Sequence, residues 1–506
     1  MEGTRETILT RIMTWVPSSQ ENLQEVNKTP QSGIYWVYGS PGIGKTALAH
    51  SVCASLQDRR QLVGAFFCQR DTTNLSDPRN ILPTFIHRLA QIFPHFRTIV
   101  AKYLHEDPTL TPQSMKETLF VEFIRSLRRH PKQHTLVFVI DALDECGNSK
   151  SRPAILKVLT EAAQLAPWLK LIITSRPEMD ISQCLLDIPT QYDLGADEGT
   201  EVDIRIFARS QFLPVASKWH LPTSWPEESL FNRVISQANG LFIFIKTLVL
   251  ALELCPDPEQ SLKEMLKDSI SAGLESLFGL YTGILKAQVI NSNITEFWQV
   301  IAVITTAQYH PLRAEAIANL ARVKPNLIQK WIDDLSSMVY RDGRANNAIR
   351  ARHLSIIEFF VSDRCEYKAN LQDAHARLGI ACLETMVRQL RFNICELEDS
   401  RLANADIKDL ELRIEQNISQ PLQYSCLYWS NHVSKTPNND NCQALGLENL
   451  RKFFEGLWPL FWIEVLSVLG MVPTGASSLR RMISWVKVSR ALAHICLHSR
   501  MVLIEL

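Results

Sequence analysis

Eight consecutive residues, Gly39-Ser40-Pro41-Gly42-Ile43-Gly44-Lys45-Thr46, fit the pattern G-x-x-x-x-G-K-[ST]. Gly39, Gly42 and Gly44 let the backbone turn tightly, so that successive N–H groups face phosphate oxygens. Lys45 can then reach the β- and γ-phosphates, and the Thr46 hydroxyl can ligate Mg²⁺. An apolar run precedes the string and a helical pattern follows it, so the positive end of a helix adds to the same anion site. The chemistry encoded is the binding of ATP or ADP with Mg²⁺.

Two further strings carry charge to the same place. In Val137-Phe138-Val139-Ile140-Asp141-Ala142-Leu143-Asp144-Glu145, an apolar run ends on Asp141. That puts a carboxylate at the C-terminal end of a buried strand, where a phosphate-binding sheet holds its metal. Asp141 is the expected Mg²⁺ partner beside Thr46. Asp144 and Glu145, a few residues on, are placed to polarise an attacking water. In Leu171-Ile172-Ile173-Thr174-Ser175-Arg176-Pro177 a second run ends on Arg176, whose guanidinium matches the charge and shape of a γ-phosphate.

The elements that must position these groups follow from periodicity. Short apolar runs at 33–38, 64–67, 136–140 and 169–173 read as buried strands. Helical patterns occupy 45–56, 81–93, 114–129 and 153–164 between them. Alternating strands and helices predict an α/β domain, a parallel sheet with helices on both faces. An N-terminal helix is expected over 4–16 with Thr4 as N-cap, and 17–32 reads as polar loop. Beyond residue 180 strands become rare. Helices are expected at 201–212 and, unbroken, at 229–253. A hairpin of 338–341 and 348–353 around Asp342-Gly343, after a helix cluster, has the outline of a winged helix. The remainder is mostly helical, with polar breaks near 398–409 and 434–443 and no repeat of solenoid or propeller length. The resulting segments are 1–30, an N-terminal helix and linker; 31–180, the P-loop domain; 181–275, a helical domain; 276–370, the winged helix; and 371–506, a helical region.

Composition narrows the partners. The 506 residues carry 53 Lys+Arg against 53 Asp+Glu, with 46% hydrophobic and 21% charged residues. Such a chain folds rather than staying disordered. Zero net charge argues against a nucleic-acid binder that relies on a global basic field. Eleven cysteines are an odd number and form no C-x-x-C, so no zinc knuckle or redox pair is indicated. His494, Cys496 and His498 alternate near the C-terminus, but no second ligand pair follows, and they read as packing. No signal-peptide core is present in the first twenty residues, so a cytoplasmic chain with reduced thiols is expected, and the Asn293 sequon has no glycosylation meaning. The stretch 456–472 contains Pro459 and Glu464 and falls short of a membrane span. Its Trp458, Phe461, Trp462, Val465, Leu466 and Leu469 recur at helical spacing, as in a buried or partner-facing helix.

The strings GSPGIGKT, VFVIDALDEC and IITSRPE together resemble the NACHT family of signal-transducing NTPases, within the STAND class of P-loop NTPases, and especially fungal NOD-like receptors. GTRETIL at 3–9, ANGLFIF at 238–244, RHLSIIEFF at 352–360 and YSCLYWSNHV at 424–433 strengthen the likeness across most of the chain. Ala142 before the doubled acid, with T-S-R-P, is its most specific part. The resemblance implies a nucleotide-binding domain, a helical domain, a winged helix and a further helical region. It implies that ADP holds a closed state and that exchange for ATP favours an open state able to self-associate. It implies Lys45 and Thr46 on phosphate and Mg²⁺, Asp141 on Mg²⁺, Arg176 as sensor, and His353 on the ADP β-phosphate. Taken without the family, a histidine before an apolar run is a packed core residue.

The chain departs from the family's pattern in two places. Relatives often carry Gly-Leu-Pro where this chain has Gly240-Leu241-Phe242. Full-length fungal relatives commonly carry an effector before the NACHT domain and repeats after it. Here about 30 residues precede the P-loop strand and no repeat follows, which reads as a short or truncated switch. The function expected is therefore a signal-transduction switch that binds ATP or ADP, hydrolyses slowly, self-associates with ATP and answers to an unknown protein partner. The alternatives are a nucleotide-binding scaffold without significant hydrolysis and a P-loop kinase or high-turnover ATPase. No N-K-x-D follows the P-loop, so a GTPase is disfavoured.

Overall fold

The computed structural model describes residues 3–16, 33–72, 74–106, 135–166, 168–197, 199–266, 273–288, 294–307, 310–343, 347–366, 369–399, 401–436 and 440–488. The helix expected at 114–129, the loop at 17–32, Asn293 and the His494–Cys496–His498 alternation lie outside these residues. Contacts divide the chain into a unit of residues 1–284 with His353–Ser355, and a unit of 285–352 with 356–506.

The first unit is built on five strands, β1 (Ile34–Tyr38), β2 (Leu62–Phe67), β3 (Leu136–Asp141), β4 (Leu169–Ser175) and β5 (Gln191–Asp193). They lie in the order β2-β3-β4-β1-β5, all parallel. Continuous apolar runs form the central strands because both sheet faces are covered. Ile34, Trp36, Phe138, Ile140, Leu171 and Ile173 enter one core, shared with α3 (Ile81–Ile92) and α5 (Arg152–Leu165). Their neighbours Tyr35, Val37, Val137, Val139 and Ile172 enter the opposite core, shared with α1 (Glu6–Trp15) and α2 (Lys45–Asp58). Fully burying one such aliphatic side chain stabilises the fold by about 1.5–3 kcal/mol. The expected α/β architecture with helices on both faces is the one observed.

Boundaries differ in instructive ways. Helix α1 opens one residue later than expected, with Arg5 rather than Thr4 at the N-cap, in a left-handed conformation (φ 59°). The pattern read as 81–93 continues as α4 (Pro94–Glu106), and α6 (Met179–Leu185) leads to β5. That strand has three residues, too few to leave a periodic signal. After α7 (Thr200–Lys218), the helix expected at 229–253 is two helices, α8 (Glu228–Ala238) and α9 (Phe242–Leu254). Asn239 at φ 43° and Gly240 at φ 80° break it, since two left-handed residues in succession cannot continue a right-handed helix. Helices α10 (Pro258–Met265) and α11 (Leu274–Gln288) follow.

Among its described residues the second unit is helical apart from one antiparallel pair, β6 (Val339–Asp342) and β7 (Ala348–Ala351). Helices α12 (Ile294–Thr306), α13 (Ala314–Ala321) and α14 (Pro325–Asp334) precede this hairpin. Helix α15 (Leu354–Val361) follows it, its first two residues grouped with the P-loop unit. Helix α16 (Leu371–Gln389) starts where the Asn370 side chain accepts from two first-turn N–H groups. After α17 (Leu410–Asn417) come α18 (Gln420–Val433), α19 (Asp440–Glu455), α20 (Trp458–Val468) and α21 (Val472–Val488). Glu464 sits in the apolar stretch because its carboxylate accepts from the N–H groups of Asn393 (3.1 Å) and Ile394 (3.0 Å). Among the described residues, no helix is long and apolar enough to cross a membrane.

Candidate functional site

Strands β1, β3 and β4 are neighbours, so their C-terminal ends deliver three strings to one sheet edge. An open α/β sheet binds ligands at such an edge. The P-loop leaves β1 and enters α2 through Gly44, at φ 98°, a conformation that disfavours any residue with a Cβ. Gly42 is constrained twice. It has φ 78°, and a Cβ there would lie 2.1 Å from Ile243 Cγ2. The Ile243 N–H donates to the Gly42 carbonyl at 3.3 Å, so the start of α9 is seated on the loop.

Lys45 folds back over the loop and donates to the carbonyls of Gly39 (2.8 Å) and Ser40 (2.9 Å). Burial lowers its pKa to about 8, although Asp144, Asp141 and Glu145 pull it up. Asp141, at the end of β3, is 1% exposed and accepts from the Thr174 hydroxyl at 2.5 Å. Thr174 also accepts from the Ala142 N–H at 3.0 Å, which fixes the direction of its hydroxyl toward Asp141. Burial raises Asp141 above its ordinary value, opposed by hydrogen bonds from Thr174 and Thr46 and by the Lys45 charge. Thr46 and Asp141 are thus joined, as the pair expected to hold Mg²⁺ must be. A buried carboxylate held by two hydroxyls and destabilised by burial suits a divalent cation, and these two residues would hold it.

Ala142 takes a left-handed turn (φ 53°) that sends Asp144 and Glu145 back toward the site. Asp144 accepts from the Arg176 N–H (2.9 Å) and pairs with its Nε (3.2 Å). The acid of one string and the cation of the other therefore hold each other. Glu145 accepts from the Arg70 N–H at 3.4 Å. Burial and the Asp144 charge raise its pKa to about 7, so this carboxylate can take a proton near neutrality.

His353 lies in the same unit, its Cε1 3.7 Å from where a Gly42 Cβ would be. Burial, helped by the charges of Arg176 and Lys45, lowers its pKa to about 4. All ten residues singled out for the site, Gly39, Gly42, Gly44, Lys45, Thr46, Asp141, Asp144, Glu145, Arg176 and His353, fall within this unit.

Sequence reasoning missed the residues that brace them. Arg152 donates to the Asp144 carbonyl (2.8 Å) and pairs with Glu178 (2.6 Å) and Asp180 (2.8 Å), tying the acidic turn to the segment after β4. Nothing local marks it. Arg5 donates to the Ile43 carbonyl of the P-loop (2.9 Å), to Thr200 (2.7 Å) and to Asp197 (3.2 Å). The GTRETIL string was a signal for Arg5, but its partners lie 38 to 195 residues away. Phe242, which stands where relatives often carry proline, lies under the Arg5 guanidinium, 5.3 Å to the ring centroid. A Gly44 Cβ would be 3.7 Å from that ring.

The sequence comparisons agree with this geometry. A family model described as Nephrocystin 3, N-terminal, matches residues 12–176, which contain the P-loop, the acidic turn and Arg176. Over 503 aligned residues the chain is 22% identical to the vegetative incompatibility protein HET-E-1 of Podospora anserina, a NACHT-domain protein. The chain is similar to NACHT-type P-loop NTPases. The HET-E-1 alignment covers 92% of this chain but only 36% of the relative. Similarity to solved structures is shallow. The Walker-type ATPase of Pyrococcus abyssi has a TM-score of 0.34 at 12% identity, covering 70% of this chain and 95% of that one. A Thermotoga maritima RuvB variant has a TM-score of 0.26 at 12% identity, covering 69% and 93%.

Proposed function

We propose that this NTPase is an ATP/ADP-controlled signalling switch. The observation that carries the reading is the gathering of Lys45, Asp141, Asp144, Glu145, Arg176 and His353 at one P-loop. Lys45, Thr46 and the loop N–H groups hold the phosphates, and Asp141 with Thr46 holds Mg²⁺. Glu145, or Asp144 beside it, polarises the attacking water, and hydrolysis is slow. Arg176 reads the γ-phosphate, because ATP would draw its guanidinium from Asp144. His353 reads the β-phosphate of ADP and holds the closed state. The hairpin β6–β7 with its helices serves as the winged helix of residues 276–370, after the nucleotide-binding and helical domains of 31–180 and 181–275. Exchange of ADP for ATP opens the chain and lets copies associate in the cytoplasm. To move a two-state balance from 1:99 to 99:1, ATP must favour the open state by about 5.5 kcal/mol. A few charge-assisted contacts of Lys45 and Arg176 supply energies of that order. The relative's name, vegetative incompatibility protein, supports a fungal self/non-self or immune-type setting.

Mass photometry with ADP and with a non-hydrolysable ATP analogue tests the switch. Larger assemblies with the analogue than with ADP are expected. Tight binding of both with no change in size would leave a nucleotide-binding scaffold. Turnover of about 1 per second or more would mark a kinase or high-turnover ATPase instead.

A further inference from the structure

Behind His353 the structure carries a polar chain that neither the P-loop chemistry nor the family likeness accounts for. The Ser355 N–H donates to His353 Nδ1 at 3.2 Å, and the Ser355 hydroxyl lies 2.7 Å from the same nitrogen. Tyr281 on α11 puts its hydroxyl 2.8 Å from Ser355 Oγ. Tyr281 and Ser355 are fully buried.

The direction of every proton in this chain follows from one fact. A backbone N–H can only donate, so His353 Nδ1 must be an acceptor and carries no proton. The Ser355 hydroxyl, with one hydrogen, then donates to Nδ1, and Tyr281 must donate to Ser355. The ring proton is left on Nε2. Among the described residues Nε2 has no hydrogen-bond partner, and the ring stands beside Gly42 of the P-loop. Arg176 and Lys45 disfavour a charged ring, so the neutral Nε2–H form is maintained where a charged one would repel them.

We propose that Ser355 and Tyr281 are positioning residues that fix His353 as the Nε2–H tautomer and aim that donor at the terminal phosphate of a bound nucleoside diphosphate. The proposal rests on the reading of His353 as the ADP-sensing residue. The donor is directional. Without the hydroxyl bond only the longer 3.2 Å Ser355 N–H contact holds Nδ1, so the ring is free to turn, and an acceptor nitrogen facing a phosphate oxygen is repelled rather than bound. The hydroxyl pair makes the sensor a donor at all times without giving it a charge. Tyr281 extends the connection to α11, so the ring's orientation depends on where that helix stands.

Calorimetry with ADP and with a non-hydrolysable ATP analogue tests this on the full chain. Ser355→Ala should weaken ADP about tenfold and Tyr281→Phe a few-fold, the analogue staying within about twofold in both. Tyr281→Phe removes one hydroxyl and no ring volume, so it keeps the test valid if Ser355→Ala folds poorly. In a His353→Ala background neither substitution should matter further, because the relay acts only through that ring. Equal losses for both nucleotides, or losses that persist without His353, would assign the pair to packing and overturn the proposal. An effect of His353→Ala on ADP with none from either hydroxyl would also overturn the relay while keeping His353 as sensor. No effect of His353→Ala on ADP would take down the sensor reading and the relay together.

Discussion

Among the described residues two histidine chains are anchored on a tyrosine, and they stand in different surroundings. In the helical unit, Tyr424 meets His432 Nε2 at 2.7 Å, and His432 Nδ1 meets His375 Nδ1 at 2.8 Å. Each of these three nitrogens has a partner, and the chain runs between α16 and α18 to end on His375, away from the P-loop unit. In the P-loop unit, Tyr281 and Ser355 lead to His353, whose Nε2 is left over beside Gly42. Around it Lys45, Asp141 and Glu145 are also buried at a cost, each shifted toward its neutral form. Buried polar groups that satisfy one another specify packing. Those that converge on a P-loop, each held toward its neutral form by burial, are poised for a ligand.

The largest test removes the centre of the P-loop cluster. Lys45→Ala is expected to weaken ATP by at least about a hundredfold, since charge-assisted bonds to phosphate contribute about 1.5–3 kcal/mol each. Calorimetry should show no measurable heat, and unchanged binding would remove the site. Next in size, Glu145→Gln should keep ATP binding and slow phosphate release by about a hundredfold. A general base must be deprotonated, and Glu145 titrates at about 7. Hydrolysis by the parent should therefore rise with pH through that value, and the variant's profile should be flat there. Equal phosphate release from both would pass the role to Asp144.

How much of this contrast was legible in the sequence depends on how far apart the cooperating residues lie. The P-loop, Asp141 and Arg176 each sit in one short string, because a strand end and the turn after it are encoded by contiguous residues. The sheet was legible for the same reason, its four longer strands being unbroken apolar runs. The braces were not. Arg152 reaches Glu178 and Asp180 across an intervening helix and strand, and Arg5 reaches the loop from outside the sheet. Neither partner set can be read from periodicity. The histidines show the limit most clearly. His353 and His432 both look like core histidines in sequence, and what separates them is that only His353 stands beside the P-loop.

A third test bears on the chain in the helical unit. His432→Ala leaves His375 and Tyr424 without their partner in a buried site and should cost about 2–3 kcal/mol in urea unfolding. ADP affinity should stay at the parent value. The pH dependence has a definite sign. Burial lowers His375 to about 4 and holds His432 well below the ordinary 6.5. An unfolded chain binds these protons first, so stability contributed by the neutral pair is present above 6.5 and lost as pH falls toward about 4. Acid unfolding that ignores His432→Ala would break the comparison.

The smallest effect is the sharpest. Lys170, near the start of β4 and so away from the P-loop edge, is 3% exposed. Its ammonium lies 4.6 Å over the Trp15 ring and pairs with no carboxylate among the described residues. If an underpartnered buried charge alone marked a site, Lys170 would mark one. It stands at the other end of its strand from the P-loop edge, and desolvation alone lowers its pKa. Lys170→Met keeps the stem and removes the charge, and should stabilise the chain by about 1 kcal/mol at neutral pH without changing nucleotide affinity. The unfolded chain keeps a lysine proton up to the ordinary 10.5, whereas the folded one releases it earlier. The parent therefore gains stability as pH rises toward that value, and the advantage of Lys170→Met should shrink with it. An advantage that did not change with pH would mean that packing, not the buried charge, sets the difference. A loss of ATP or ADP binding on Lys170→Met would mean that a buried charge can serve the nucleotide from the far end of the sheet, and that convergence on the loop is not what separates the two clusters.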